Sequence, residues 1–470
     1  MTAVSEVLTG DFAADVSRMD ALLRPEESFD LVRREYEGGG AHLVMYYVSG
    51  MMRSDSLEKL LLSFENGAVF SDAETFAKTS MPASEASAVR TCQELIGAVM
   101  SGQLAMLSDA FGAAVVVADF RIYPARNSEE PENDKVMRGS RDGFVETLLT
   151  NVSLIRRRIR TPDLTVKRVT AGKSTRTDIA LVYLAGKADG GYVEELAQKL
   201  GSLRTDSLVM GHASIAESLA RRGWWNPFPK VRATERPDAA AATILEGGVI
   251  VLCDNSPEAM IFPTTLFHFL QETDDYYFTP LSGTYLRLLR HLVFWMTMIV
   301  TPLWYLLLLH EEILPPALHF VIPSHPGDLP ILVQLIMTEL TLDGLKLASL
   351  NTPNVLASSL SVVGGLLLGD FAVTVGWVSP DVILYMAFVS IANFTQSSYE
   401  LGYAFKFLRV LTLILTAAFD WIGFTLGILI AVLLAATNVT LDGRRQYLYP
   451  LIPFNARALS RLIFRRVKDD

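Results

Sequence analysis

The stretch 355–437 sets the reading of this chain. Its 83 residues carry six formal charges, at Asp370, Asp381, Glu400, Lys406, Arg409 and Asp420, and 355–368 and 421–437 carry none. A second apolar run covers 291–310. A helix of a water-soluble domain keeps one polar face, whereas a bilayer crossing needs about 20 apolar residues. The pattern predicts an all-α polytopic membrane domain over 284–455, behind a large soluble N-terminal part.

Within that domain, 292–309 reads as a crossing preceded by Arg287, Arg290 and His291. The loop 311–329 contains no Lys or Arg, so the positive-inside rule places the N-terminal part in the cytosol and this loop outside. The segment 331–350 is amphipathic, with Glu339, Asp343 and Lys346 at i, i+4 and i+7 on one face. Apolar helices are expected over 355–378 and 382–396. The run 405–437 is too long for one simple crossing and short for two, and Asp420 is a candidate break. The basic tail 456–470 (Arg457, Arg461, Arg465, Arg466, Lys468) favours a cytosolic C-terminus, hence an even number of spans, four or six.

Upstream the period shortens to that of strands and short helices. AHLVMYYVSGM (41–51) reads as a strand, 54–64 as a helix with Ser54 and Asp55 as candidate N-caps, and 104–109 with 113–121 as a hairpin around Phe111-Gly112. This first α/β unit (1–130) ends in the polar stretch NSEEPENDK (127–135), read as a linker or loop. In a second unit (138–283), a helix over 140–160 opens at Ser140 and carries Phe144, Leu148, Val152 and Ile155 on one stripe. Strands follow at 164–169 and 178–184, a helix at 191–203, then strand, helix and strand at 230–233, 237–245 and 248–253, with 259–263 beyond. The fold class is thus two small α/β units with mixed sheets, followed by the helical membrane domain. No 20–50-residue repeat is visible.

Charge sharpens this division. Residues 284–470 hold 12 basic and 12 acidic residues, so the net charge of -10 belongs to residues 1–283. An acidic soluble part argues against nucleic acid as a partner. Cys92 and Cys253 alone give no disulfide framework and no metal-site spacing. The N-terminus lacks a basic region followed by an apolar core, so no cleavable signal peptide is expected.

Chemistry-bearing motifs are few. AGKST (171–175) resembles the end of a phosphate-binding loop, but the required upstream glycine position holds Lys167 and no helix follows. His310-Glu311-Glu312 lacks the second histidine of a zinc hydrolase, and His310, His319 and His325 share one loop. No enzyme, cofactor or metal site is expected. Acids at membrane depth usually face water or a partner, which makes Glu339, Asp343, Asp370 and Asp420 candidates for an ion path; several of them also suit helix ends in the headgroup region. Ser358, Ser361, Val362, Gly365 and Gly369 lie on a segment dense in small residues. It suits tight helix packing, or a narrow pore in a ring of subunits with Val362 as an apolar constriction. Arg156, Arg157 and Arg158 in LIRRRIR (154–160) suit a solvated face or contacts with acids of a neighbouring subunit.

FVETLLTNVSLIRRRIRTPDL (144–164), ALVYLAG (180–186), SVVGGLLLGDFAV (361–373) and SSYELGYAFKFLR (397–409) together resemble the GerA family of spore germination proteins, the A-type receptor subunits. The likeness covers roughly 138–468. DGLKLASLNTP (343–353) and SPDVILYMAFVSIANF (379–394) are similar to a paralogue group outside the nutrient receptors. Where receptor subunits usually show Glu-Ala-Gly, this chain has Leu347-Ala348-Ser349, and Gln396-Ser397 replaces the proline usual before Ser-Tyr-Glu. The resemblance implies the inner spore membrane, and a homo-oligomer, pentameric, forming a channel that releases monovalent cations during germination. It also implies a small membrane partner (FigP-like), or receptor B and C subunits, and a pore along Ser358, Ser361, Val362 and Gly365. The arginine run would then sit in a ring of cytosolic domains. Two other expectations remain open: an A subunit of a nutrient receptor, and a non-conducting scaffold that clusters receptors.

Overall fold

Helix α1 (Phe12–Leu23) starts where the Asp11 carboxylate accepts from the backbone N–H groups of Ala13 and Ala14. It leads into β1 (Leu31–Gly38) and β2 (Ala41–Val48), then α2 (Ser54–Glu65), α3 (Ala73–Thr79), β3 (Ala86–Val89), α4 (Cys92–Met100), β4 (Leu104–Ser108) and β5 (Val115–Ala118). Strand β2 is apolar along its length because both of its faces are covered. Val44, Tyr46 and Val48 pack with Met19, Leu23, Leu95 and Val99, while Leu43, Met45 and Tyr47 pack with Leu60, Phe64 and Phe76. The sheet order is β1-β2-β4-β5-β3, with helices on both faces. The computed structural model describes residues 7–38, 40–67, 69–123, 139–203, 208, 211–220, 225–272, 274–350, 362, 364–365, 371–395 and 398–464. The expected linker 127–135 lies outside them.

A second pass through the same plan follows: α5 (Leu148–Arg158), β6 (Leu164–Ala171), β7 (Thr177–Leu184), α6 (Gly190–Gly201), α7 (His212–Leu219), β8 (Arg232–Thr234), α8 (Pro237–Leu245), β9 (Val249–Cys253) and β10 (Ala259–Phe262). Its order, β6-β7-β9-β10-β8, repeats that of the first sheet strand for strand. The succession α-β-β-α-α-β-α-β-β therefore occurs twice. Among the described residues every ladder is antiparallel, so the mixed sheets expected from alternation are corrected. Short connections such as that between β6 and β7 can only reverse the chain.

Two helix starts also differ from expectation. Arg53 precedes α2 without a side-chain cap, leaving Ser54 and Asp55 in its first turn, where Asp55 faces the helix dipole. Helix α5 begins at Leu148 rather than Ser140, its first N–H held by the Asp254 carboxylate at 3.1 Å. Ser140 is instead engaged with Asp142 and Arg158. Cys92 and Cys253 are both buried, and burial with the neighbouring Asp254 pushes the Cys253 thiol up to about 12.

The two sheets are joined by one buried ion pair. Arg156 of α5 is 1% exposed and donates Nη2 and Nε to the Asp30 carboxylate (2.8 and 2.9 Å). Its Nη1 donates to the Leu164 carbonyl at 2.9 Å, and the Ser28 hydroxyl accepts from both Arg156 and the Val166 N–H. Gly50 lies against α5 so closely that a Cβ there would collide with Ser153 Oγ.

The chain divides into two units, 1–221 with 231–263, and 222–230 with 264–470. The second unit contains α9 (Asp274–Tyr277), α10 (Pro280–Leu309), α11 (Ile331–Leu350), α12 (Pro380–Phe394), α13 (Tyr399–Ala436) and α14 (Ala456–Ile463). By length and composition α10 and α13 can each cross a bilayer. Helix α13 is not straight: Asp420 has φ 59° and ψ −133°, and the limbs 399–419 and 421–436 fold back on each other. Gly423 lies against the Leu415 carbonyl and Gly427 against Thr412, where no Cβ fits. Gly423, Gly427, Ala431 and Ala435, at every fourth position, form the buried seam of this hairpin.

Removing the Arg156 side chain should strand Asp30 and cost about 3–5 kcal/mol. In full-length protein, Arg156→Leu is expected to speed hydrogen exchange in both α5 and β1. Unchanged exchange in both would contradict the joint described here.

Candidate functional site

The most unusual chemistry of the second unit lies where α10, α11 and α13 meet. Apolar helices exclude water, so a charge among them must find an opposite charge or a backbone dipole. Arg409 of α13 is fully buried. Its Nη2 donates to Glu339 Oε1 of α11 at 2.6 Å, and its Nη1 to the Thr297 carbonyl of α10 at 3.1 Å. One turn earlier on α13, Lys406 pairs with Asp343 and lies 3.9 Å from Glu339. The i, i+4 spacing of Glu339 and Asp343 thus meets the i, i+3 spacing of Lys406 and Arg409. Arg409 Nε is buried without a hydrogen-bond partner, as is the Thr301 hydroxyl one turn along α10 from Thr297. These groups, with the buried Thr412 and Thr416, make a polar seam inside an apolar bundle.

At one end of the bundle, His310 Nε2 lies 2.6 Å from Asp420 Oδ1, and its ring stacks on Trp421 with centroids 5.7 Å apart. This pair ties the end of α10 to the turn of the α13 hairpin. Close by in sequence, the buried Gln334 donates to the carbonyls of Pro326 and Leu329 (2.6 and 2.7 Å) and accepts from the Ser379 N–H (2.8 Å). The Asp328 N–H donates to Gly376. The loop after α10 and the start of α12 are fixed to α11 by these bonds. The opposite end of α10 carries Arg287 and Arg290, which converge on the fully buried Asp275.

The acidic candidates are thus placed as follows. Glu339 and Asp343 are together and paired with cations, while Asp420 lies far along α13 with His310. Asp370 falls outside the described residues, as do Ser358, Ser361 and Gly369. Val362, 63% exposed, and Gly365 are helical. Gly365 lines an apolar cavity of about 250 Å³ with Thr338, Thr341, Leu345, Trp377 and Met386 among others. Of the arginine run, Arg156 is removed from the candidate subunit contacts, because its guanidinium is held inside the chain by Asp30. Arg158 is held by Asp142, and Arg157 lies over the Tyr123 ring at 4.9 Å. Sequence reasoning missed Lys406 and Arg409 as the partners of the acids. Their i, i+3 placement on an otherwise apolar run was the signal.

Comparison with known proteins places this chain in a class of spore germination proteins. Residues 19–469 match the family described as Bacillus/Clostridium GerA spore germination protein, and the chain belongs to that family. It is 38% identical to stage V sporulation protein AF of Bacillus subtilis, over 81% of this chain and 76% of that protein. It is 29% identical to spore germination protein KA of B. subtilis, over 93% of this chain and 81% of that one. A solved structure, the N-terminal domain of the A subunit of the Bacillus megaterium spore germinant receptor GerK3, aligns with 55% of this chain and 97% of its own length, at TM-score 0.42 and 22% identity.

Breaking one side of the buried cluster should destabilise more than removing both. Glu339→Gln is expected to lose about 3–5 kcal/mol, whereas Glu339→Leu with Arg409→Met returns most of it. Thermal unfolding of the purified protein in lipid discs checks this. Equal stability of the single and double variants would contradict the pairing.

Proposed function

We propose that the chain is a subunit of a pentameric ion channel of the inner spore membrane, which releases monovalent cations during germination and amplifies a receptor signal. Family membership supports the setting, a role in spore germination or sporulation. The observation that carries the mechanism is the neutralised cluster of Glu339 and Asp343 with Lys406 and Arg409 within the helices. Two acids at that depth attract cations only when freed, and here α13 occupies both. The cluster acts as a latch: while Arg409 joins α10 to α11, the acids are closed to passing ions. A displacement of α13 would release them.

In a ring of such subunits, Val362 would project its apolar side chain toward the axis from a segment of small residues. A girdle of that kind closes by dewetting and opens with a small increase in radius. Pairing of helix ends supports a multi-pass arrangement, and the basic residues before α10 against a loop 311–329 without Lys or Arg support a cytosolic N-terminal part. His310 meets Asp420 and Asp328 meets Gly376 at one end, while Arg287 meets Leu462 near the other. Alternating directions for α10, α11, α12 and the two limbs of α13, with the apolar stretch 355–378 expected from the sequence as a further crossing, give six passes. The work assigned to the chain is conduction, not bond chemistry, with a small membrane protein as partner. The reading as an A subunit of a nutrient receptor draws on the similarity to spore germination protein KA and requires dedicated B and C subunits instead.

Potassium release from vesicles holding the purified chain, with and without its co-purifying membrane partner, tests the proposal. Release that depends on the partner is expected, and Val362→Ala is expected to change its rate. No release from intact pentamers in any combination would favour the scaffold reading, and release indifferent to Val362 would remove it from the constriction.

A further inference from the structure

After α13 the chain returns along the base of the membrane unit. Tyr447 is buried beside Phe228, with centroids 5.9 Å apart, and near Phe269. Further on, the Leu462 carbonyl accepts from Arg287 Nη1 at 3.4 Å. Between these two anchors every residue of 451–457 (Leu-Ile-Pro-Phe-Asn-Ala-Arg) is exposed. Ile452 is 58% and Phe454 71% exposed, although a loop tip facing water is ordinarily polar. Arg445 and Arg457, both exposed, flank this apolar tip. The sequence 443–468 contains seven basic residues and no acidic one.

The backbone of the tip is prepared for a medium poorer in hydrogen bonds than water. The N–H groups of Tyr449, Leu451, Ile452 and Asn455 all donate within the loop, to Gln446, Leu448, Leu448 and Pro450, and Pro450 and Pro453 have no N–H to satisfy. The level of the returning chain also fits. Leu462, eight residues past the tip, is pinned at Arg287, which precedes the start of the apolar run at Leu292 by five residues, roughly 7 Å along a helix. Interfacial segments bury their apolar side by about 5–10 Å at the headgroup–acyl boundary.

We propose that the tip 451–454 inserts into the headgroup–acyl boundary of the membrane leaflet at this base, with Arg445 and Arg457 on anionic lipid phosphates. Of the surfaces that could cover the tip, an anionic leaflet matches both its apolar apex and its uniformly basic flanks. The inserted tip fixes the position of the end of α13 relative to the bilayer, next to the base of α10.

The test uses full-length Phe454→Cys, and separately Ile452→Cys, labelled with an environment-sensitive nitrobenzoxadiazole group in lipid discs of phosphatidylcholine and phosphatidylglycerol. Both native cysteines are buried, and Ser174→Cys, in an exposed turn of the soluble unit, is the control. Acyl-chain-brominated lipids are expected to reduce emission about twofold at 454 and 452 and not at 174, as for a group at the acyl boundary. Arg445→Gln with Arg457→Gln should weaken quenching most in discs of low phosphatidylglycerol content. Emission from both 454 and 452 that is shifted but not quenched would mean that protein covers the tip, and overturn the proposal. Water-like emission from both would overturn it as well.

Discussion

A guanidinium cannot remain buried among apolar helices unless its charge is met, and the second unit is organised around that constraint at Arg409. Meeting it requires Glu339 from α11 and a carbonyl from α10 at the same point, so three helices are fixed in register by one side chain. The device recurs. Arg156 with Asp30 joins the two sheets of the first unit, and Arg287 with Arg290 and Asp275 anchors the base of α10. Buried ion pairs contribute little net stability relative to apolar packing, but they fail sharply when one partner leaves. They suit joints that must hold one arrangement and be able to let go of it.

The hairpin in α13 gives such a release somewhere to act. Its turn at Asp420 is held from outside by His310, and its seam of Gly423, Gly427, Ala431 and Ala435 allows the limbs close approach. Small-residue seams present smooth surfaces, along which one helix can shift on another without unpacking large side chains. The cations Lys406 and Arg409 lie on the first limb, so movement of the hairpin and opening of the ionic latch are one event in the proposed mechanism. His310 and Gln334 hold the loops at one end of the bundle, which leaves the part of α13 toward its other end as the element to move in the proposed mechanism.

Much of this fold was legible in the sequence where local rules apply. The helices 237–245 and 331–350, the hairpin 104–109 with 113–121, and the break at Asp420 follow from periodicity, turn residues and the cost of a lone charge. What escaped was non-local. Strand β1, with its polar LVRREYEG, is an edge strand with one wetted face and carries no apolar run. The duplicated α-β-β-α-α-β-α-β-β plan is longer than a repeat search of 20–50 residues can register, and it is preserved in topology. Two features depend on partners distant in the chain. Arg156 lies in a basic run, yet Asp30, 126 residues away, holds it inside the fold, and Glu339 and Asp343, expected to face water or a partner, meet the α13 cations.

The central claim is that the ionic latch keeps a conducting subunit closed. The most direct measurement is the conductance of planar bilayers containing Lys406→Gln with Arg409→Gln, which frees both acids, beside wild type, with the oligomer verified in the same lipid. The latch-free protein is expected to assemble and to conduct potassium in the absence of its membrane partner, while wild type alone stays silent. Intact oligomers of the double variant that remain as silent as wild type would contradict it.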